Sequence, residues 1–427
     1  MTTTIPTKTA WLAYCRAGFE RDLAQELQAR LGGEILQAID LAGFVRLSCD
    51  DKKPTFRMAV NDTVFARQLL LTRDAPVALT SNDRVNPVFE ALSAFLDERG
   101  IHQVVDCRVE YPDTNDGKAL SRAAKAIEPR LRELFAAAGL LAGHAKYRAM
   151  VFLTPDRQAR IGIADLHLSA ADPLGIPRFR MPADAPSRST LKLAEAIHVF
   201  LGSGHDDALQ PDMRAVDLGA APGGWTWQLM QRGVRVIAID NADLKGDLVD
   251  NAMVKHLRED GFRYQPKVPV DWLVCDMVEQ PARIAKLVAK WLANGWARYA
   301  IFNLKLPMKK RNEEVERCRQ ILAEALDDAG KPLVLQIRQL YHDREEVTGF
   351  ACVPSRKERF AHNVAAPDRR KPSASSVTAK KPKPATVPTP PVTPPTNRTG
   401  LKLTSTLPRA AASPWSVKPL PKRRKVK

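Results

Sequence analysis

The sequence predicts an α/β protein in which a mostly parallel, doubly wound sheet with one antiparallel final strand follows an α+β region. Three observations lead there. From about Ala183 onward, short apolar or β-branched runs bounded by turn residues alternate with helical stretches, the pattern of a parallel sheet covered on both faces. The first of these runs turns into its helix through a glycine-rich loop, "DLGAAPGGW" (217–225), and ligands of such sheets sit at the carboxyl ends of the strands. The last two runs are joined by only a few residues around His342 to Arg344, and a connection that short permits only an antiparallel pair.

From the amino end, "AWLAYCRA" (10–17) reads as a strand, Gly18 precedes Leu23, Leu27 and Leu31 at helical spacing, and "GFVRLSC" (43–49) reads as a returning strand. A second unit contains the strand-like "VVDCRVEY" (104–111), the turn signal "PDTNDG" (112–117) and an amphipathic stretch with Leu120, Ala124, Ile127, Leu131 and Leu134. Pro129 is expected to bend or restart that helix. "YRAMVFLT" (147–154) and "QARIGIADLHLS" (158–169) then read as a β pair turning at Pro155 and Asp156. In the alternating region the strands are "RAVDLG" (214–219), "VRVIAID" (234–240), "DWLVCD" (271–276) and "YAIFNLK" (299–305). "WTWQLMQRG", "ARIAKLVAKWLANG" and "NEEVERCRQILAEALDDAG" are the helices, and "LVLQIRQLY" (333–341) and "EEVTGFACV" (345–353) form the final pair.

These elements divide the chain into an α+β unit over 1–75, a second over 76–180, the doubly wound domain over 181–364 and a tail over 365–427, in keeping with domains of roughly 100 to 200 residues. The net charge of +17 belongs mostly to the tail, where 15 Lys and Arg meet one acid, Asp368; the first 364 residues hold 50 bases and 47 acids. With 13 of the 32 prolines and one aromatic, Trp415, the tail cannot bury enough apolar surface to offset chain entropy and is expected to be disordered. Its basicity, including the terminal "PKRRKVK", is expected to add sequence-independent attraction to phosphates. The six cysteines are scattered, with no C-x-x-C pair and no metal-ligand spacing, which suits a reduced intracellular protein without a metal site. No n-region precedes an apolar h-region and no run of about 18 apolar residues occurs, so neither secretion nor a membrane partner is expected and the location is expected to be cytoplasmic. The sequence does not set the oligomeric state. Small α+β units bind RNA or serve as scaffold or dimerisation domains, and pattern alone leaves both open.

The chemistry concentrates at strand ends. In "DLGAAPGGW", Gly219, Gly223 and Gly224 let backbone approach a ligand closely and the helix start offers free N–H groups. A dinucleotide loop places a glycine where Ala221 stands. Gly219, Ala221, Pro222, Gly223, Gly224 and Trp225 therefore point to a ligand without a pyrophosphate, S-adenosyl-L-methionine being the common one, with a nicotinamide-dependent oxidoreductase as the alternative. Asp240 ends the second strand, placed for ribose hydroxyls; Asp260, near the start of the next short strand, is a candidate acceptor for an adenine amino group. Cys275 lies within an apolar run and reads as a buried thiol rather than a nucleophile. Asp276, Lys305 and Glu346 fall at strand ends that meet at the ligand cleft, and Lys192 lies just before the first strand. Two lysines and two carboxylates around one cleft can hold an amine desolvated yet positioned. Lys309, Lys310 and Arg311 read as a phosphate-facing rim or as an ordinary solvated helix start.

The combination "PSRSTLKL" (186–193), "VDLGAAPGGW" (216–225), "VCDM" (274–277), "FNLKLPMKKR" (302–311) and "YHDREEVT" (341–348) resembles the ribosomal RNA large subunit methyltransferase M family, relatives of the heat-shock rRNA methyltransferase FtsJ. "CRAGFERD" (15–22) and "PDTNDGKALS" (112–121) resemble it too, so the likeness spans about 10–350. The resemblance implies a Rossmann-like S-adenosylmethionine-dependent methyltransferase domain behind ferredoxin-like and THUMP-like RNA-binding units. It implies 2'-O-methylation of a cytidine in 23S rRNA, met as rRNA or as a large-subunit assembly intermediate. Carried over by motif, the family's K-D-K-E tetrad falls on Lys192, Asp276, Lys305 and Glu346, and its cofactor positions on Ser189, residues 221–224, Asp240, Asp260 and Asp276. On that basis Lys305, neutral in the reactive state, is expected to accept the hydroxyl proton. A non-catalytic RNA-binding protein with the same fold is the remaining alternative.

Overall fold

The structure, a computed structural model, describes residues 8–38, 40, 42–49, 58–80, 82–202 and 208–354. The expectations for the tail over 365–427 lie outside the described residues.

The chain opens with β1 (Thr9–Tyr14), whose six residues are all buried, followed by α1 (Glu20–Leu31), which turns Leu23 and Leu27 into the core. Next come β2 (Ile35–Ala38), β3 (Phe44–Cys49), β4 (Gln68–Arg73), the two-residue β5 (Val77–Ala78) and α2 (Asn86–Glu98). The second unit supplies β6 (Cys107–Glu110), α3 (Asn115–Ala119), α4 (Ser121–Ala137), β7 (Tyr147–Thr154) and β8 (Gln158–Asp165). β7 and β8 form the expected hairpin, in register from Tyr147 opposite Asp165 to Thr154 opposite Gln158. The two expected units share one eight-stranded sheet of order β2-β3-β1-β4-β8-β7-β6, with β5 also paired to β8. β4 makes the join: it pairs with β1 along its whole length and meets β8 at Leu71–Ile163 and Thr72–Gly162. A side chain at Gly162 would collide with the Leu71 carbonyl, so glycine permits the crossing of the boundary near residue 75.

α4 departs from expectation. It runs unbroken through Pro129 over 17 residues and buries Ala124, Ile127, Leu131 and Phe135, with Phe135 rather than Leu134 closing the stripe. Pro129 and Lys125, whose carbonyl lacks its usual donor, both lie on the exposed face, so the unpaired carbonyl is not sealed in the core. Pro129→Ala restores that bond and is expected to raise unfolding stability by about 1–3 kcal/mol; a denaturant melt showing a loss would refute this account.

The second half comprises α5 (Thr190–Leu201), β9 (Arg214–Leu218), α6 (Gly224–Met230), β10 (Arg235–Ile239), β11 (Val254–Leu257) and β12 (Val270–Cys275), then α7 (Pro281–Ala293), β13 (Ala297–Lys305), α8 (Arg311–Asp328), β14 (Val334–Arg338) and β15 (Glu346–Cys352). Its sheet has the order β11-β10-β9-β12-β13-β15-β14. The neighbours from β11 to β13 pair parallel, and β15 alone runs against them, antiparallel to both β13 and β14. Central β12 is apolar because both its faces are covered: Trp272, Leu273, Val274 and Cys275 are fully buried. α7 and α8 cover one face with Ile284, Val288 and Leu292 and with Val315, Cys318 and Leu322. All six cysteines are free thiols.

The two halves lock together at the β14–β15 hairpin. The Gln339 N–H donates to the Val64 carbonyl (2.7 Å), and the buried Arg338 donates to the Ala66 carbonyl (2.7 Å) and to Asn61.

Candidate active site

The glycine loop follows β9. Gly219 and Gly223 adopt φ of +76° and +111°, which favour glycine, and a side chain at Gly224 would collide with the Ser187 and Ser189 hydroxyls. Those hydroxyls lie 2.7 Å apart at the start of α5 and press that helix onto the loop. Beneath it the fully buried Asp217 accepts from the Thr226 hydroxyl (2.7 Å); burial pushes its pKa up to about 7, with Asp276 adding to the rise and the Thr226 hydrogen bonds opposing it. Trp225 turns away from the loop: its indole belongs to the core with Leu193, Ile197, Leu229 and Val236.

Asp240 follows the last residue of β10 and accepts the Ala221 N–H (3.0 Å) on one oxygen and the Ala242 N–H (2.9 Å) on the other. The expectation that Asp260 lies near the start of a short strand is corrected: it comes three residues after the end of β11 (Val254–Leu257) and so follows a strand end as Asp240 does. It accepts the Phe262 N–H at 2.8 Å and leaves half its side chain exposed. Met277 spans the two loops. A Cβ on Gly219 would strike its side chain, and one on Gly261 would lie 3.1 Å from its sulfur. A bare methionine two residues past a strand carries no motif, which is why sequence reasoning passed over it. Two acceptors at neighbouring strand ends beside an apolar thioether, with close backbone approach at the glycines, suit a nucleoside with an amine and hydroxyls, as S-adenosylmethionine has.

Lys192, Asp276, Lys305 and Glu346, drawn from α5 and the ends of β12, β13 and β15, converge. Lys305 Nζ lies 2.6 Å from Asp276 Oδ1 and also pairs with Glu346 Oε2. Lys192 Nζ lies 3.5 Å from Asp276 Oδ2 and pairs with Glu346 Oε1. Each carboxylate thus bridges both ammonium groups. The reversal of β15 makes this possible, because the register sets its first residue, Glu346, opposite the last residue of β13, Lys305. The side chains retain between 8% and 23% exposure, so the cluster is desolvated but open. Burial opposes the Lys305 charge, yet Asp276 and Glu346 outweigh it and hold the ammonium above the ordinary lysine range. The neutral amine expected from sequence is therefore disfavoured in this arrangement.

Behind the tetrad runs a buried polar chain that the sequence did not disclose. Asn303 donates to Asp276 Oδ1 (2.7 Å) and accepts from the Thr348 hydroxyl (2.7 Å). Thr348 also lies 2.9 and 3.1 Å from the oxygens of Asp343. A hydroxyl has one proton, so with Thr348 donating to Asn303 the Asp343 carboxyl must itself donate. Burial above all, then Glu346, raises the Asp343 pKa well above the usual range, the direction that this donor role requires, while its other oxygen accepts the Leu340 N–H (3.0 Å). Cys275 is fully buried and its thiol is pushed up to about 12 by desolvation, in agreement with a core role.

The expected basic rim divides. Lys309 and Lys310 are exposed, and Lys310 pairs with Glu313 (3.1 Å). Arg311 is neither rim nor solvated helix start: it is 12% exposed, pairs with Asp22 (2.8 Å) and Glu345 (2.7 Å), donates to the Gly18 carbonyl (3.1 Å) and lies over the Phe19 ring. It ties α1 to the loop before Glu346.

Strand ends, glycine loop and tetrad together define a methyltransferase built on a doubly wound sheet, and the chain matches the FtsJ-like methyltransferase family over residues 185–316. Residues 83–164 match the N-terminal part of ribosomal RNA large subunit methyltransferase M, and residues 9–70 the ferredoxin-like domain of the same family. Proteins named ribosomal RNA large subunit methyltransferase M are 46% identical over 350 residues in Laribacter hongkongensis (81% of this chain, 97% of the relative) and 45% identical over 353 residues in Methylococcus capsulatus (79% and 97%). Another, from an Azoarcus species, is 44% identical over 355 residues (79% and 94%). The chain belongs to the ribosomal RNA large subunit methyltransferase M family, and its methyl donor is S-adenosyl-L-methionine. The nicotinamide-dependent reading is thereby set aside. No helix among the described residues is long and apolar enough to cross a membrane, and among them no three His, Cys, Asp or Glu side chains group to hold a metal ion.

Proposed function

We propose that this chain methylates the 2'-hydroxyl of a cytidine ribose in 23S rRNA, in the cytoplasm, acting on the rRNA itself or on a large-subunit assembly intermediate. The observation that carries the ribose reading is the tetrad: an amine held between two carboxylates, with a second amine opposite, suits a hydroxyl that must be aimed and relieved of its proton. The same retained tetrad argues against a non-catalytic RNA-binding protein. The cytidine and 23S rRNA rest on the family resemblance, as does the reading of 1–75 and 76–180 as ferredoxin-like and THUMP-like RNA-engaging units ahead of a methyltransferase domain over 181–364.

S-adenosylmethionine, when bound, supplies a methyl group on a positively charged sulfur. Ser189, Gly219, residues 221–224, Asp240, Asp260 and Asp276 would hold it, with Asp240 meeting the ribose hydroxyls and Asp260 the adenine amine; Trp225 supports the loop from the core. Lys192 positions the substrate hydroxyl. Lys305 Nζ releases one proton to solvent through the open cleft and, as the neutral amine, takes the hydroxyl proton to become ammonium again, while Asp276 and Glu346 keep the amine aimed. Any further positive charge entering the cleft draws on the same two carboxylates and so weakens Lys305's hold on its proton.

The raised Lys305 pKa fixes the sign of the pH dependence. Below that pKa the neutral amine is the minor form, and its fraction grows about tenfold per pH unit. The expected kcat/KM for RNA therefore climbs with pH across about 6 to 9 without a plateau, and a flat profile would count against Lys305 as base. Tritiated-methyl transfer to unmethylated 23S rRNA, followed by mapping of 2'-O-methyl positions, tests the function itself; product on a base atom would overturn it.

A further inference from the structure

Around Tyr341, in the loop between β14 and β15, three guanidinium groups gather. Arg67 lies 5.4 Å from the ring centroid and Arg178 5.6 Å, and Arg16 Nη1 reaches the Tyr341 carbonyl at 3.5 Å. Their charges are differently engaged. Arg67 is buried and paired with Asp113 at 3.3 Å, so its charge is spent inside the protein. Arg16 and Arg178 have no carboxylate partner among the described residues, and Arg178 is exposed.

The cluster adjoins the tetrad by construction. Glu195, one helical turn after Lys192 on α5, accepts the N–H groups of Tyr341 (2.7 Å) and His342 (2.9 Å) and the His342 ring nitrogen (2.7 Å). Tyr341 stands five residues before Glu346. The loop bearing Arg16 is pinned to the same place from its other side, where Arg311 joins the Gly18 carbonyl to Glu345. The tetrad carboxylates are saturated by their own lysines and do not neutralise these two arginines.

We propose that Arg16 and Arg178, set around Tyr341, grip a backbone phosphate of the RNA next to the target ribose, forming a substrate subsite to which the first unit, the end of the second unit and the methyltransferase half each contribute one residue. A guanidinium fork without an internal carboxylate is the side chain best matched to a phosphate; the Tyr341 ring braces that of Arg178 through a cation–π contact, and the Tyr341 carbonyl accepts from that of Arg16. The inference rests on the rRNA reading given above.

The test is binding of an unmethylated 23S rRNA transcript by the full chain over a salt series, together with KM for that RNA. Arg16→Ala with Arg178→Ala is expected to weaken binding roughly tenfold at low salt and to reduce the slope of log affinity against log salt by about 0.7, the share of one neutralised phosphate on single-stranded RNA. S-adenosylmethionine affinity and melting temperature are expected to stay as in the wild type, which separates loss of contact from misfolding. Arg180→Ala, an exposed neighbour off the ring, is expected to change little. Equal slopes and KM for the double variant and the wild type, or a loss with Arg180→Ala as large as with Arg178→Ala, would overturn the subsite. Wild-type protein that binds the RNA but transfers no methyl would instead strike the proposed function and leave the binding comparison standing.

Discussion

Lys305→Ala is expected to lower methyl transfer to rRNA by roughly 10²- to 10⁴-fold, the usual worth of a positioned acid–base group. S-adenosylmethionine binding should survive, because the glycine loop, Asp240 and Asp260 form no hydrogen bond or ion pair with Lys305, and Asp276, which does, is still held by Asn303 and Lys192. The loss should fall on kcat rather than on KM for RNA, since the role proposed for the residue concerns the proton and not the phosphates. Lys192 remains to neutralise Asp276 and Glu346, so the variant should still fold, and a melting curve can confirm that before rates are compared. Wild-type rates with intact cofactor binding would remove Lys305 from the chemistry and turn attention to Lys192, the other amine held by the same carboxylates.

The second large effect concerns the chain as a whole. A fragment confined to 181–364 is expected to lack a cooperative melt, although the FtsJ-like methyltransferase match, 185–316, lies wholly within it. Cutting there strands Arg338, whose buried guanidinium is met by Asn61 and the Ala66 carbonyl, both in the removed half. It also takes Asp22 from Arg311 and the Val64 carbonyl from the Gln339 N–H. Leaving one partner of a buried charged contact unpaired costs about 3–5 kcal/mol, against a total stability of about 5–15 kcal/mol for a typical domain. Calorimetry of the fragment beside the full chain measures this directly, and a sharp transition at the full-length temperature would show the halves to be independent. Arg311→Ala in the full chain tests a single contact on the same interface.

What the sequence disclosed and what it concealed follow from the range of the interactions involved. Lys305, Glu346 and Asp276 could be placed because strand ends are local events: an apolar run stops, a proline or turn follows, and the sheet's connectivity does the rest. Arg311 could not, because "MKKR" reads locally as a basic cluster while its partners, Asp22 and Glu345, come from distant turns of the chain. The short β2 and β11, four residues each, give too little periodicity to stand out, and β4, which fuses the two N-terminal units into one sheet, is defined by its partners on either side. Pro129 misled for the opposite reason: its local rule is strong, but the buried face of α4 overrides it. The chain from Asp343 through Thr348 and Asn303 to Asp276 was hidden because it alternates between two strands and a loop, and pairing register rather than motif brings it together.

The reversed β15 also has a bearing on time. A growing polypeptide would already have released the glycine loop, Lys192, Asp276 and Lys305 before Glu346 appears, and the two lysines would then share a single carboxylate. Only when the last strand slides in against β13 does the second anion arrive, at a register where a slip of one residue would present Val347 instead. Completion of the tetrad thus depends on the strand that is made last of the four contributing elements, and a chain that lacks it leaves Lys192 and Lys305 to share Asp276 alone.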